Sequence, residues 1–139
     1  MTHKKIIRIE VIMFTESDSL HEIIIKVMLA EAYMESGEIT DKHLEIIQEW
    51  IKYMKVEGPE YDRIKSMFSK KIDYIQAEIF YNQLHAALSN EKNRKEIISI
   101  LQTFLQGRKK IFPIEEKLQD RITKILNDRS LTERLKEQN

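Results

Sequence analysis

The stretch from Met28 to Met54, MLAEAYMESGEITDKHLEIIQEWIKYM, constrains the fold of this chain more than any other. Apolar residues recur at Leu20, Ile23, Ile24, Val27, Ala30 and Met34 ahead of an acidic turn, and at Leu44, Ile47, Ile51 and Met54 after it. Both sets follow the 3.6-residue helical period, so two apolar stripes must share a core. The turn, Glu35-Ser36-Gly37-Glu38, is short enough to fold the helices back as an αα-hairpin. Gly37 takes a positive φ at little cost and ends the first helix, while the Thr40 hydroxyl caps the second.

The rest of the chain reads in the same way. Ser17 or Asp18 caps the first helix, and the second runs from about Asp41 to Val56, where Gly58-Pro59 stops it. Pro59 suits the first turn of a short helix reaching Phe68. From Ser69 the spacing predicts a long helix over about 70–88, with Ile72, Ile75, Ile79 and Ala86 on one face and Phe80, Leu84, Ala87 and Leu88 widening it. So broad an apolar surface predicts a central position. Ser89 or Asn90 caps a helix through Ile97, Leu101 and Leu105, Gly107 breaks it, and Pro113 opens another through Leu118, Ile122 and Ile125. Ser130 to Glu133 has capping-box spacing for a last short helix. Residues 6–14 alternate like a strand, yet no partner strand is legible, and they are read as helix. At 139 residues and 42% hydrophobic, the chain has enough material for one core. The expectation is an all-α, single-domain bundle of about six to eight helices built from two similar hairpins, with residues 18–128 as the core and 1–15 and 130–139 peripheral.

Charge and motifs narrow the function classes. With 23 basic and 23 acidic residues there is no global field to draw the chain onto nucleic acid or an anionic membrane. The absence of cysteine removes disulfides, thiolate catalysis and cysteine-based zinc sites. Arg8 and Glu10 interrupt the apolar opening segment, and no run approaches the ~20 apolar residues of a membrane span, so a soluble, cytoplasmic protein is expected. No Glu stands three residues before His21, His43 or His85, and HExxH, GxGxxG, GxSxG and the phosphate-binding loop are missing. No enzymatic activity is expected.

A second hairpin echoes the first. Ile39 follows a glycine and precedes a capped helix carrying Ile46 and Trp50; Ile111 stands in the same relation to Gly107, Pro113, Leu118 and Ile122, a shift of 72 residues (111 − 39). These features resemble the TerB-like family of tellurite-resistance and stress-associated proteins, over roughly residues 20–127. In that family each hairpin turn typically reads Ala-Asp-Gly, a variable residue, Ile or Val, then Ser or Thr and a Glu opening the next helix. Here the first turn is Glu35-Ser36-Gly37-Glu38-Ile39-Thr40 with His43 in place of the Glu, and the second, around Gln106 to Pro113, keeps Glu115. The resemblance implies a pseudo-repeated helical fold and suspected metal ligands in the acidic turn. Ser36 replaces the usual aspartate, however, and Arg108, Lys109 and Lys110 make the second turn basic.

Three sets of residues are candidate sites. Glu31 falls between Leu20, Ile24, Val27 and Met34 on the helical wheel, where a carboxylate is costly unless paired. It is either an ion-pair member, with a lysine or His43, or a ligand for a weakly bound divalent metal together with Glu35, Glu38 and His43. Tyr74, Glu78, Tyr81 and His85 recur at i, i+4, i+7 and i+11 and suit a protein interface or small-ligand groove, though a half-exposed helix face looks the same. Lys92, Arg94 and Lys95 with Arg108, Lys109 and Lys110 form a basic set that reads as a solvated charge run. The expected function is a non-enzymatic TerB-like module acting through protein contacts, a second copy of the chain among them, in tellurite or stress resistance or an envelope-associated response. A divalent-metal binder using the acidic turn and a nucleic-acid accessory factor are the alternatives.

Overall fold

The structure, a computed structural model, describes the backbone of residues 19–138 and the side chains up to Asp128; the expected helix at 6–14 lies outside the described residues. All regular structure there is helical: α1 Leu20–Ser36, α2 Asp41–Tyr53, α3 Gly58–Lys65, α4 Tyr74–Ser89, α5 Glu91–Gln106 and α6 Pro113–Gln138. No helix among the described residues is long and apolar enough to cross a membrane.

Local chemistry sets most boundaries. Ser19 accepts the Glu22 N–H at the start of α1, and Gly37 ends that helix in the left-handed region, φ 72°, with its N–H on the Tyr33 carbonyl at 2.7 Å. Thr40 then caps α2 in a box whose return partner is a histidine. The Thr40 hydroxyl accepts the His43 N–H and His43 Nδ1 accepts the Thr40 N–H, both at 3.1 Å. Asn90 both ends α4 and caps α5, so one residue joins them.

Five expected boundaries are corrected. The first helix takes Ser19 as its cap instead of Ser17 or Asp18, and the short helix after Gly58 ends at Lys65 instead of Phe68, with Ser66 as its cap. The long helix starts at Tyr74, not near residue 70, because Asp73 and Gln76 form a capping box there and leave Ile72 buried in the preceding loop. The second helix stops at Tyr53 because Lys55 turns to φ 56° and the Val56 N–H bonds the Ile51 carbonyl. The expected short helix at Ser130 is not separate: α6 runs unbroken through it, as a capping-box sequence inside a helix has no free N-terminus to satisfy.

The central element is α1. It packs against α2, α3, α4 and α6, and every residue from Glu22 to Ala32 except Lys26 is buried. The face of α4 that faces inward is Ala77, Phe80, Leu84, Ala87 and Leu88, four of them the residues expected to widen the stripe; of the expected Ile72–Ile75–Ile79–Ala86 face, Ile72 and Ile79 pack on the core, while Ile75, 70% exposed, and Ala86 point outward. Met34, expected on the buried stripe of α1, is exposed as well. With Ile24, Ile25, Met28 and Leu29 fully buried, each contributing about 1.5–3 kcal/mol of burial, α1 anchors the bundle.

The 72-residue echo has a structural counterpart. In α2 the third helical residue, His43, accepts the N–H of cap residue Thr40; in α6 the third residue, Glu115, accepts the N–H of cap residue Phe112 at 2.9 Å. Both pairs are related by the same shift, and Ile46 and Trp50 match Leu118 and Ile122, all buried.

Candidate functional site

Glu31 is buried, 3% exposed, and paired, but with neither of the expected partners. Arg121 on α6 donates Nε to Glu31 Oε1 at 2.6 Å, a contact between residues 90 positions apart. The guanidinium also lies 3.5 Å from the centroid of the Tyr81 ring, so it is held by a carboxylate and an aromatic face together. Tyr81 belongs to this cluster. Its hydroxyl is buried and lies near the Glu31 carboxylate without a well-directed hydrogen bond, and its pKa is pushed up to about 12, first by burial and then by the Glu31 charge, against the opposing pull of Arg121. The cluster couples α1, α4 and α6 and resembles a structural ion pair more than a reactive centre.

The proposed ligands do not converge. Among the described residues no group of three or more His, Asp and Glu has metal-holding geometry. Glu31 is engaged by Arg121; Glu38 is exposed on the turn; only Glu35 and His43 meet, Oε2 to Nε2 at 3.6 Å. The Nδ1 lone pair of His43 is already used by the Thr40 N–H, which places the ring proton on Nε2. To ligate a cation, His43 would have to leave the cap or turn Nε2 from proton carrier to ligand.

Of the four α4 residues at helical spacing, Tyr74, Glu78 and His85 are exposed and Tyr81 turns partly inward. They share one side of the helix, as their spacing requires, but Tyr81 serves the Glu31–Arg121 pair. The basic set also divides. Lys92, Lys95, Lys109 and Lys110 are exposed, whereas Arg94 donates to the Leu88 carbonyl at 3.1 Å and Arg108 enters a second polar cluster.

That cluster surrounds Glu115, which is fully buried. It accepts the Trp50 indole N–H at 2.6 Å, the Phe112 N–H at 2.9 Å and Arg108 Nη2 at 3.1 Å. Arg108 Nη1 lies 3.2 Å from Glu49, close enough for charge attraction but not aligned as a hydrogen bond. Phe104 and Phe112 stack about the guanidinium at 5.0 and 5.5 Å, and Phe104 also packs on Trp50. A third buried carboxylate, Glu22, is met by Arg63 of α3 through Nε at 3.1 Å and through Nη2. Sequence spacing carried the Glu115 signal only through its equivalence with His43; the partners of Glu31 and Glu22 lie on other helices and left no local trace.

The three buried carboxylates are each paired with an arginine, and among the described residues an open groove of about 710 Å3 lies between α5 and α6. Its apolar lining includes Leu101, Leu105, Ile111, Ile122 and Leu126, and its polar lining consists of three glutamines and a threonine. No lining residue is charged, in a chain that is 33% charged. In the first hairpin α1 and α2 pack directly, whereas α5 packs chiefly on α4 and leaves this space beside α6. Compared with protein-family models, curated proteins and solved structures, the chain has no significant match.

Proposed function

We propose that this chain is a non-enzymatic, TerB-like helical module of the cytoplasm that acts by protein contact, through the groove between α5 and α6. The groove carries the reading: it presents apolar side chains between two helices, the geometry that receives another helix, and its lining has no carboxylate or imidazole to drive a reaction. Exposed Ile111, 40% accessible, extends the apolar surface at the turn. Support for the TerB-like assignment comes from the two hairpins with matching third-residue caps, 72 residues apart. A role in tellurite or stress resistance is the expectation that goes with that assignment.

A photo-cross-linking residue placed at Gln102, which is exposed on the groove, tests the reading in cells that make the protein. A discrete protein adduct is expected at Gln102, lost on adding Ile98→Asp and absent when the probe sits at exposed Lys52 on α2. No protein adduct at Gln102 overturns the assignment of the groove as a contact surface.

A further inference from the structure

We propose that residues 6–14 of this same chain, IIRIEVIMF, occupy the groove between α5 and α6, so that the chain covers its own contact surface until a partner displaces the segment. The displacement, though not the seat, rests on the reading of the groove as a protein-contact surface. Seven of the nine residues are apolar, against 42% for the whole chain, so the segment gains by leaving water. Its reach follows from the course of the helices. Glu31 of α1 meets Arg121 of α6. Nearer the C-terminal end of α1, Glu35 lies against His43, and the adjacent Lys42 sits 4.8 Å over the Phe112 ring, at the cap of α6. The two helices therefore run antiparallel, and Ser19 lies toward the C-terminal half of α6. At ~1.5 Å per residue, Ser19 is about 18 Å beyond Glu31 and Leu126 about 7.5 Å beyond Arg121, a difference of about 10 Å along the bundle. Leu126 and Ile98 line that end of the groove, Gln106 and Ile111 the other. Five residues link Phe14 to Ser19 (19 − 14) and span up to about 17 Å, which brings Phe14 to the Leu126 end. Tethering then decides between occupants. A segment on so short a link meets the groove at an effective concentration on the order of millimolar, and a free molecule below that level competes poorly.

Nuclear Overhauser contacts between methyl groups of the full chain test the seat. Cross-peaks are expected from Ile7, Ile9 or Val11 to Leu101, Ile122 or Leu126, residues that line the groove. A sample mixing isotope-labelled and unlabelled copies, read through an isotope filter, separates the sources, because contacts within one copy vanish from it. Ile9→Asp with Val11→Asp should abolish the cross-peaks, since a carboxylate is costly against an uncharged apolar lining. In cells the same double substitution should raise the yield of the protein adduct at Gln102. Absent cross-peaks, cross-peaks that persist in the filtered sample alone, or cross-peaks that survive the double substitution each overturn the seat, and an unchanged adduct yield overturns the displacement. An adduct without cross-peaks removes the seat and leaves the contact surface standing; cross-peaks without an adduct remove the contact surface and leave the seat.

Discussion

Replacing Glu115 by Gln should destabilise the protein by about 3 kcal/mol, although the two side chains have nearly the same shape. Glu115 is fully buried and accepts from Trp50, Phe112 and Arg108. Its Oε2 faces the indole and its Oε1 faces the other two donors, so one oxygen must become an NH2 group opposite a donor. In the milder orientation the amide confronts the Trp50 N–H and leaves two buried donors unsatisfied, at about 1–3 kcal/mol together once the site relaxes. Arg108 loses its buried counter-charge as well, and half-exposed Glu49 offsets only about 0.5–1 kcal/mol of that. For a chain of this length, ~3 kcal/mol lowers Tm by roughly 10 °C. Urea titration followed by circular dichroism and by emission of Trp50, the single tryptophan, should show a lower midpoint at unchanged slope. Trp50→Phe removes the confronted donor, so Glu115→Gln should cost at least ~1 kcal/mol less in that background. A cost under ~0.5 kcal/mol, or equal costs in both backgrounds, would refute the assignment of Glu115 as the shared acceptor.

Further expectations follow from other sites. Glu31→Gln should cost about 2 kcal/mol in the same titration by stripping the charge from the partner of Arg121, and a variant as stable as wild type would remove the pair from the energetics. Tyr81 stays neutral in the folded chain up to about pH 12 but ionises near 10 when unfolded, so its contribution is fully present below pH 10 and is lost as pH rises through 12. The full shift corresponds to at most ~2.7 kcal/mol, which solvent screening of this half-buried ring reduces to ~1 kcal/mol, and Tyr81→Phe should flatten that part of the stability profile between pH 9 and 12. Gly37→Val should cost ~1 kcal/mol or more in thermal unfolding: a Cβ there meets no atom within 4 Å, so the whole penalty is the positive φ of 72°, and a neutral outcome would contradict that backbone geometry.

The all-helical class, the Gly37 turn, the Thr40 and Asn90 caps and the break at Gly107 were legible in the sequence because each rests on interactions within four or five residues. So was the need to compensate Glu31, since one carboxylate on an apolar stripe states a cost by itself. The sequence did not reveal who compensates it: Arg121 is 90 residues away, on a helix whose approach to α1 depends on the packing of the whole bundle. Helix faces failed for a related reason. In α4, Ile75 and Ala86 fit an apolar stripe as well as Phe80, Leu84 and Ala87 do, and only the position of α1 decides which set is covered. The separation between α5 and α6 was likewise invisible, because the same repeated pattern describes a closed hairpin and an open one. Local hydrogen bonds and periodicity are properties of neighbouring residues, whereas partners, covered faces and grooves depend on how distant helices divide a common core.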